Sequence, residues 1–297
     1  MTSRRRLLRL GAVACAAPVL AGCAVAEPPA AVTPTPPPTA PPPPPSPTPA
    51  PPPTATAVPA PPTVAPSAPT AVAPTAAPPP APTAAATPSD LRVVTYAETG
   101  RREIALTFDA GSDRGNAEAI LDLLASEGIL ASFGIMGEWA EANPDLLQRM
   151  ANEGHLLFNH SWNHPSFTGA TTGEAPLTPE EQVGQVRKTE EAVARIAGVD
   201  LRPWFRPPYG DYDAPMQATL AAAGYPVLLL WSCDSRDSLG ATGDEIMANC
   251  VDNARPGRIV LLHVGAQSAA SDTLPRIVAS LRGQGFAFAR VDDLLAP

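Results

Sequence analysis

From about residue 91 to the C-terminus, short apolar runs trade places with stretches whose apolar residues recur every three or four positions. The runs 103–109, 130–136, 155–159, 204–206, 226–231, 258–263 and 286–291 are largely apolar and predict buried strands. Between them, 116–126, 143–152, 179–196, 214–223, 243–253 and 272–282 carry helical spacing. Start and stop signals agree. Asn143-Pro144 is a cap followed by a first-turn proline, Thr178 caps the longest helix, and Gly128 closes the first. Alternating strand and helix places the chain in the α/β class and implies a parallel sheet or barrel.

Upstream this pattern stops. The window 28–89 holds 27 prolines in 62 residues and no charged residue. Pro, Ala and Thr in that density cannot bury a core, so 24–92 is expected to be a disordered linker. At ~3.1 Å per residue in polyproline II, such a tether reaches on the order of 200 Å. The remaining length suits one folded domain, 93–297.

The first 23 residues read as a leader. Arg4, Arg5, Arg6 and Arg9 precede an uncharged stretch of 13 residues, 10–22, against the roughly 20 that a membrane-spanning helix needs. Leu20-Ala21-Gly22-Cys23 resembles the lipobox of bacterial lipoproteins, in which the cysteine is lipidated and becomes the first mature residue. That resemblance implies an extracytoplasmic protein of the bacterial cell envelope, held to the membrane through lipidated Cys23. Ser3-Arg4-Arg5-Arg6-Leu7-Leu8 also looks like a twin-arginine signal, although three arginines are normal in any basic leader, so the export route stays open. Cys233 and Cys250 either pair as a disulfide outside the cytosol or stay as small buried residues.

Charge excludes one partner class. From Asp90 onward 16 basic residues face 28 acidic ones, a net −12, which disfavours a phosphate backbone and argues against nucleic acid.

The polar residues are placed more tellingly than the apolar ones. Asp109, His160, Arg206, Asp234 and His263 each lie at or just past the C-terminal end of a predicted strand. In a parallel β/α barrel those ends open on a single face, where active sites sit. One such residue is ordinary for a loop; five in sequence mark a catalytic face. His160 and His164, four apart, have the spacing that offers two imidazoles to one ion.

In that order, Thr107-Phe108-Asp109-Ala110-Gly111, His160-Ser161-Trp162-Asn163-His164, Arg206-Pro207-Pro208-Tyr209, Asp234-Ser235-Arg236-Asp237 and Leu261-Leu262-His263 resemble the five motifs of the polysaccharide deacetylase (NodB-homology) family. The resemblance runs from about Arg101 to the C-terminus. It implies a deformed (β/α) barrel that hydrolyses acetamide groups on amino sugars, or acetyl esters on some polysaccharides. It also implies a divalent metal, zinc foremost with cobalt or manganese as alternatives. Gly154-His155 resembles the family's lead-in to the histidine motif, where that histidine is not a ligand.

An amide carbonyl is a poor electrophile, so a metal must polarise it and acidify a water. His160 and His164 are the expected ligands. Asp109 is the expected general base and His263 the general acid for the departing amine. Arg206 is expected to hold Asp109 ionised, and Asp237, with Asp234 as the alternative, to support the His263 imidazolium. The Tyr209 N–H is expected to face the developing oxyanion, because Pro207 and Pro208 have none to offer. Leu261 is expected to line the acetyl pocket.

Two positions depart from the family pattern. Ala110 stands where the family has a metal-ligating aspartate, which leaves Asp113 or water to fill the third position. Ser238 stands where a tryptophan commonly flanks the substrate, leaving Trp231 or Trp162 to form that wall. The expected function is a metal-dependent deacetylase of a cell-envelope polysaccharide such as peptidoglycan. A non-catalytic glycan-binding lipoprotein and an O-acetyl esterase on xylan-like glycans are the alternatives. Retention of Asp109, His160, His164, Arg206 and His263 together favours the enzyme, since a binding module does not need that set.

Overall fold

The computed structural model describes residues 91–111 and 113–297. The expected leader with Cys23, and the linker through residue 90, lie outside the described residues. The first described strand is β1, at Arg92–Val94. β2 (Glu103–Ala110) is buried at seven of its eight positions, which is why its sequence shows no polar alternation: both its faces are covered. α1 (Ala117–Glu127) turns Ile120, Leu121 and Leu124 inward and ends at Gly128, whose φ of 61° is the left-handed cap that glycine supplies without strain.

β3 (Ser132–Ile135) leads into α2 (Gly137–Ala142), α3 (Pro144–Asn152) and β4 (Leu156–Asn159). α4 (Pro179–Ala197) starts in a full capping box, with Thr178 and Glu181 exchanging side-chain and backbone bonds. Then follow β5 (Trp204–Phe205), α5 (Ala214–Ala222), β6 (Val227–Leu229) and β7 (Cys233–Asp234). α6 (Gly243–Cys250), β8 (Arg258–His263), α7 (Ala270–Gly283), β9 (Ala287–Phe288) and α8 (Val291–Leu295) complete the chain.

All strand ladders are parallel, in the order β1-β6-β5-β4-β3-β2-β8-β7, with β9 on the start of β2. Among the described residues no ladder joins β1 to β7, so the sheet curls into a barrel without closing. The opening is spanned by an isolated antiparallel bridge, Tyr96 to Arg258, and by the segment after β6. There the Leu230 N–H bonds Val94 O at 2.8 Å and the Ser232 N–H bonds Ile259 O at 3.1 Å.

Two apolar clusters follow from this shape. The larger lies between sheet and helices and includes Phe108 stacked on Phe133, with centroids 5.3 Å apart. The smaller includes Ala105, Phe158, Trp204, Leu229 and Ile259 from the strands, with Val291 and Leu294 of α8 packed against them. The strand expected over 286–291 is therefore shortened to β9 and followed by a helix. Asp292 and Asp293 in its first turn favour that start, while Val291 and Leu294, three apart, share one buried face.

Candidate active site

The barrel register builds the centre of the site. Asp109 pairs across the sheet with His263 on one side and with Gly134 on the other. A Cβ at Gly134 would lie 2.5 Å from Asp109 Oδ1 and 2.7 Å from the Phe158 ring, so glycine here makes room for the carboxylate. Arg206, just past β5, is fully buried and places all three guanidinium nitrogens in hydrogen bonds. Nη1 bonds Asp109 Oδ1 at 2.7 Å, Nη2 bonds Thr107 Oγ1 at 2.9 Å, and Nε bonds Leu229 O at 3.0 Å. The guanidinium also stacks on Phe158, 4.8 Å from its centroid. A buried charge needs such pairing. Burial alone would push the Asp109 carboxyl up, but Arg206 first, then His160 and His263, hold it below its ordinary value. Asp109 stays ionised.

The two expected metal ligands come together. His160 Nδ1 is 2.8 Å from Arg206 O, which fixes the proton on that nitrogen and leaves Nε2 as the lone-pair nitrogen, 3.5 Å from Asp109 Oδ2. His164 meets His160 edge to face, with centroids 4.9 Å apart. Burial lowers both imidazoles, and with the neighbouring His160 it takes His164 to about 4. Two neutral imidazoles, one oriented by a backbone carbonyl, fit a divalent ion. A third protein ligand is not assembled: among the described residues no three His, Cys, Asp or Glu side chains gather at ion-binding distance. Asp113 lies in the cleft wall but is not brought into that set, and its Oδ1 accepts the Ala266 N–H at 3.0 Å. Ala110 is buried in the apolar cluster between sheet and helices.

On the opposite wall, the His263 partner is Asp237. Its carboxylate, fully buried, accepts His263 Nδ1–H and the His263 backbone N–H, each at 2.8 Å. Ser235 Oγ and Ser268 Oγ donate to it at 2.6 and 2.5 Å. Burial pulls the His263 imidazole down, but the bond to Asp237 and the charges of Asp109 and Asp237 raise it above its ordinary value. Asp234 does not take this role: it is exposed, and its Oδ1 accepts the Arg236 N–H at 2.8 Å. Ser235 and Ser268 carry no signal in sequence, because serine is unremarked in any loop. Gly134 did leave one, a glycine inside a predicted strand.

The site's loops are held in costly conformations. Among the described residues, the non-glycine positions with left-handed backbone are Ser161, His164, Tyr209 and Arg236, all in loops past β4, β5 and β7. Each such conformation costs on the order of 1–3 kcal/mol and persists only where its surroundings over-determine it. Tyr209, with φ 61° and ψ 0°, keeps its side chain 47% exposed against His164, centroids 4.7 Å apart. Asp109, His160, His164 and His263 line a cleft of about 650 Å³ whose walls include Tyr209, Trp231, Leu261 and Leu239. Trp231 thus lines it, whereas Trp162 stacks under Lys188 with its Nε1 bonded to Glu138. Cys233 and Cys250 form a disulfide, Cα atoms 5.7 Å apart, that ties β7 to α6 beside the Asp237 loop.

Such a cleft holds a buried ionised carboxylate facing an imidazole biased towards protonation, the pairing that separates a base from an acid. Comparison with known proteins agrees. A family profile described as polysaccharide deacetylase matches residues 96–228. The chain is 34% identical over 205 residues to the peptidoglycan-N-acetylglucosamine deacetylase of Bacillus cereus, covering 67% of this chain and 71% of that one. It is 28% identical over 203 residues to the peptidoglycan-N-acetylmuramic acid deacetylase PdaA of Bacillus subtilis, covering 66% and 73%. The crystal structure of the Bc1960 peptidoglycan N-acetylglucosamine deacetylase matches with a TM-score of 0.62 at 30% identity, covering 68% of this chain and 92% of that one. Shared sequence over two thirds of its length, on a barrel of the same form, makes this chain a member of the polysaccharide deacetylase family.

Proposed function

We propose that the protein hydrolyses the N-acetyl groups of amino sugars in a cell-envelope polysaccharide such as peptidoglycan, as the names of its relatives in Bacillus cereus and Bacillus subtilis suggest for those proteins. One observation carries this reading: Asp109, kept ionised by buried Arg206, sits in register opposite His263, biased towards its protonated form by buried Asp237. His160 and His164 would hold a divalent ion, zinc or alternatively cobalt or manganese, and that ion when bound supplies carbonyl polarisation and a more acidic water.

The chain's own residues do the rest. Asp109 accepts a proton from the attacking water as the water oxygen bonds the acyl carbon. The Tyr209 N–H, turned by its left-handed backbone, donates to the oxygen that gains charge. Leu261, almost fully buried in the cleft wall, packs the acetyl methyl. His263 then gives its proton to the nitrogen as the C–N bond breaks, releasing acetate and the sugar amine. Asp237 keeps His263 oriented by accepting from its ring Nδ1–H and from its backbone N–H. On this reading the lipidated Cys23 and the proline-rich tether place the domain in the envelope, within reach of its glycan.

Ala110 favours a second reading, a glycan-binding protein without turnover, because among the described residues no third ligand side chain gathers with the two histidines. One experiment separates the readings: acetate release from N-acetylated peptidoglycan, chitin oligomers and acetylated xylan, with zinc, cobalt or manganese added. Release from the first two supports the N-deacetylase. Release from xylan alone makes it an esterase, and binding of glycan with no release under any ion leaves the binding protein.

A further inference from the structure

The turn that carries the Tyr209 N–H is itself tied to the loop that carries His164, and the tie is one carboxylate. Asp211 lies two residues past Tyr209, its own N–H bonded to Pro208 O at 3.1 Å. Its Oδ2 accepts the Thr171 N–H at 2.8 Å and the Ser166 hydroxyl at 3.0 Å, while Oδ1 accepts the Thr171 hydroxyl at 2.7 Å. Ser166 is buried, two residues past His164, and its oxygen also takes the Gly169 N–H at 2.8 Å. Thr171 lines the cleft. Three bonds from one side chain thus fasten loop 165–177 to turn 207–211.

We propose that Asp211 is a positioning residue of the deacetylation reaction: it fixes the distance between the His160–His164 pair and the Tyr209 N–H. This role rests on the reading of Tyr209 as oxyanion donor. The ion-binding pair and that N–H must act on the same carbonyl oxygen, yet they sit on loops from different strands, β4 and β5. Nothing in the ladder between those strands extends past Arg206, whose N–H bonds Asn159 O at 2.9 Å. Beyond that point the separation of the loops is set by side chains. Tyr209 is half-exposed and left-handed, a conformation that needs outside support. Gly210 supplies part of it, since a Cβ there would lie 2.9 Å from Trp231, so the turn is seated on that ring. Asp211 supplies the lateral part. Both donors of Thr171 are spent on Asp211, so the threonine serves as an anchor that leaves no hydrogen of its own for substrate.

The test is Asp211→Ala, with Thr171→Val and Thr171→Ser beside it. Displacing a reacting group by about 1 Å costs up to ~100-fold in rate, and losing an oxyanion donor costs on the order of 100- to 1000-fold. Asp211→Ala should therefore lower kcat by about 10- to 100-fold with KM changed by less than about threefold. Divalent-ion affinity, measured by chelator competition, should stay within about twofold, because His160 is held by Arg206 O and the His164 N–H by Ser161 Oγ, neither through Asp211. Both pH limbs should stay in place, and the Thr171 amide should lose hydrogen-exchange protection. Thr171→Val should show a smaller kcat loss and Thr171→Ser should match the parent. A parent-like kcat in Asp211→Ala despite a freed Thr171 amide overturns the proposal. So does a loss borne by KM, or one shared by ion affinity, since either makes Asp211 an ordinary loop anchor. Should Asp211→Ala not fold, Thr171→Val carries the same decision. Acetate release by the parent protein is measured alongside: its absence refutes the deacetylase reading, while its presence with unaltered variants refutes only the strap.

Discussion

Replacing Arg206 by methionine tests the electrostatics on which the site rests. The substitution keeps most of the stem's volume and removes a fully buried cation whose partner, Asp109, is 6% exposed. It deletes bonds at 2.7, 2.9 and 3.0 Å to Asp109, Thr107 and Leu229. Breaking a buried pair by removing one member typically costs about 3–5 kcal/mol, a large part of the ~5–15 kcal/mol that holds a domain folded. The pH dependence separates charge from packing. Asp109 lies below its ordinary value in the parent, so its contribution to stability is present above the unfolded value and is lost as pH falls through the folded one. Without Arg206 the upward push of burial loses its strongest opponent, and the folded carboxyl takes up a proton more readily. The variant's deficit is therefore largest near neutral pH and shrinks towards about pH 4. Urea unfolding followed by tryptophan fluorescence at both pH values measures it. A deficit of equal size at both, or one below about 1 kcal/mol, would falsify the claim that Arg206 acts by holding Asp109 ionised.

The remaining predictions concern the other wall, the ion, a crosslink and the anchor. Asp237→Asn should move the alkaline limb of kcat/KM to lower pH, because His263 loses the bond that raises it, while Asp234→Asn leaves that limb unmoved; the reverse pattern would restore Asp234 as the partner. His160→Ala should abolish divalent-ion binding in chelator competition, whereas Asp113→Ala should change it by less than about twofold; equal losses would place Asp113 among the ligands. Cys250→Ser should lower unfolding stability by about 3 kcal/mol, the amount expected for a crosslink closing a short loop, and added reductant should then have no further effect on its Tm. Cys23→Ser should free the protein from membrane fractions, and continued pelleting would rule out lipid anchoring.

Much of this architecture is legible in the sequence because burial and chemistry coincide at strand ends. β2 and β8 are long enough to register as apolar runs, and each closes on its functional residue. Some elements shorter than a periodic window escape. β1 and β7 have three and two residues, and their pairing depends on neighbours far along the chain. α2 lacks any side-chain cap and starts directly after β3, so nothing in its six residues separates it from the strand before. The choice between Asp234 and Asp237 needed the left-handed turn at Arg236, which points the second carboxylate and not the first at His263. The Cys233–Cys250 pairing needed the docking of α6 beside β7, which no spacing encodes. Ser166, Thr171 and Asp211 were silent for the same reason: common loop residues gain meaning only when two loops meet.

The cleft wall has a consequence for how the reaction changes its own substrate. Asp109, Asp113 and Asp234 line it, and among the described residues no lysine or arginine does. An acetamide brings no charge into that wall, but each acetyl removed leaves an amine that is cationic at neutral pH. On the proposed reading the chain being worked therefore grows steadily more attracted to the protein as it is modified. The enzyme would be self-retaining on partly converted glycan, slowing as product accumulates beneath it, and salt would release it.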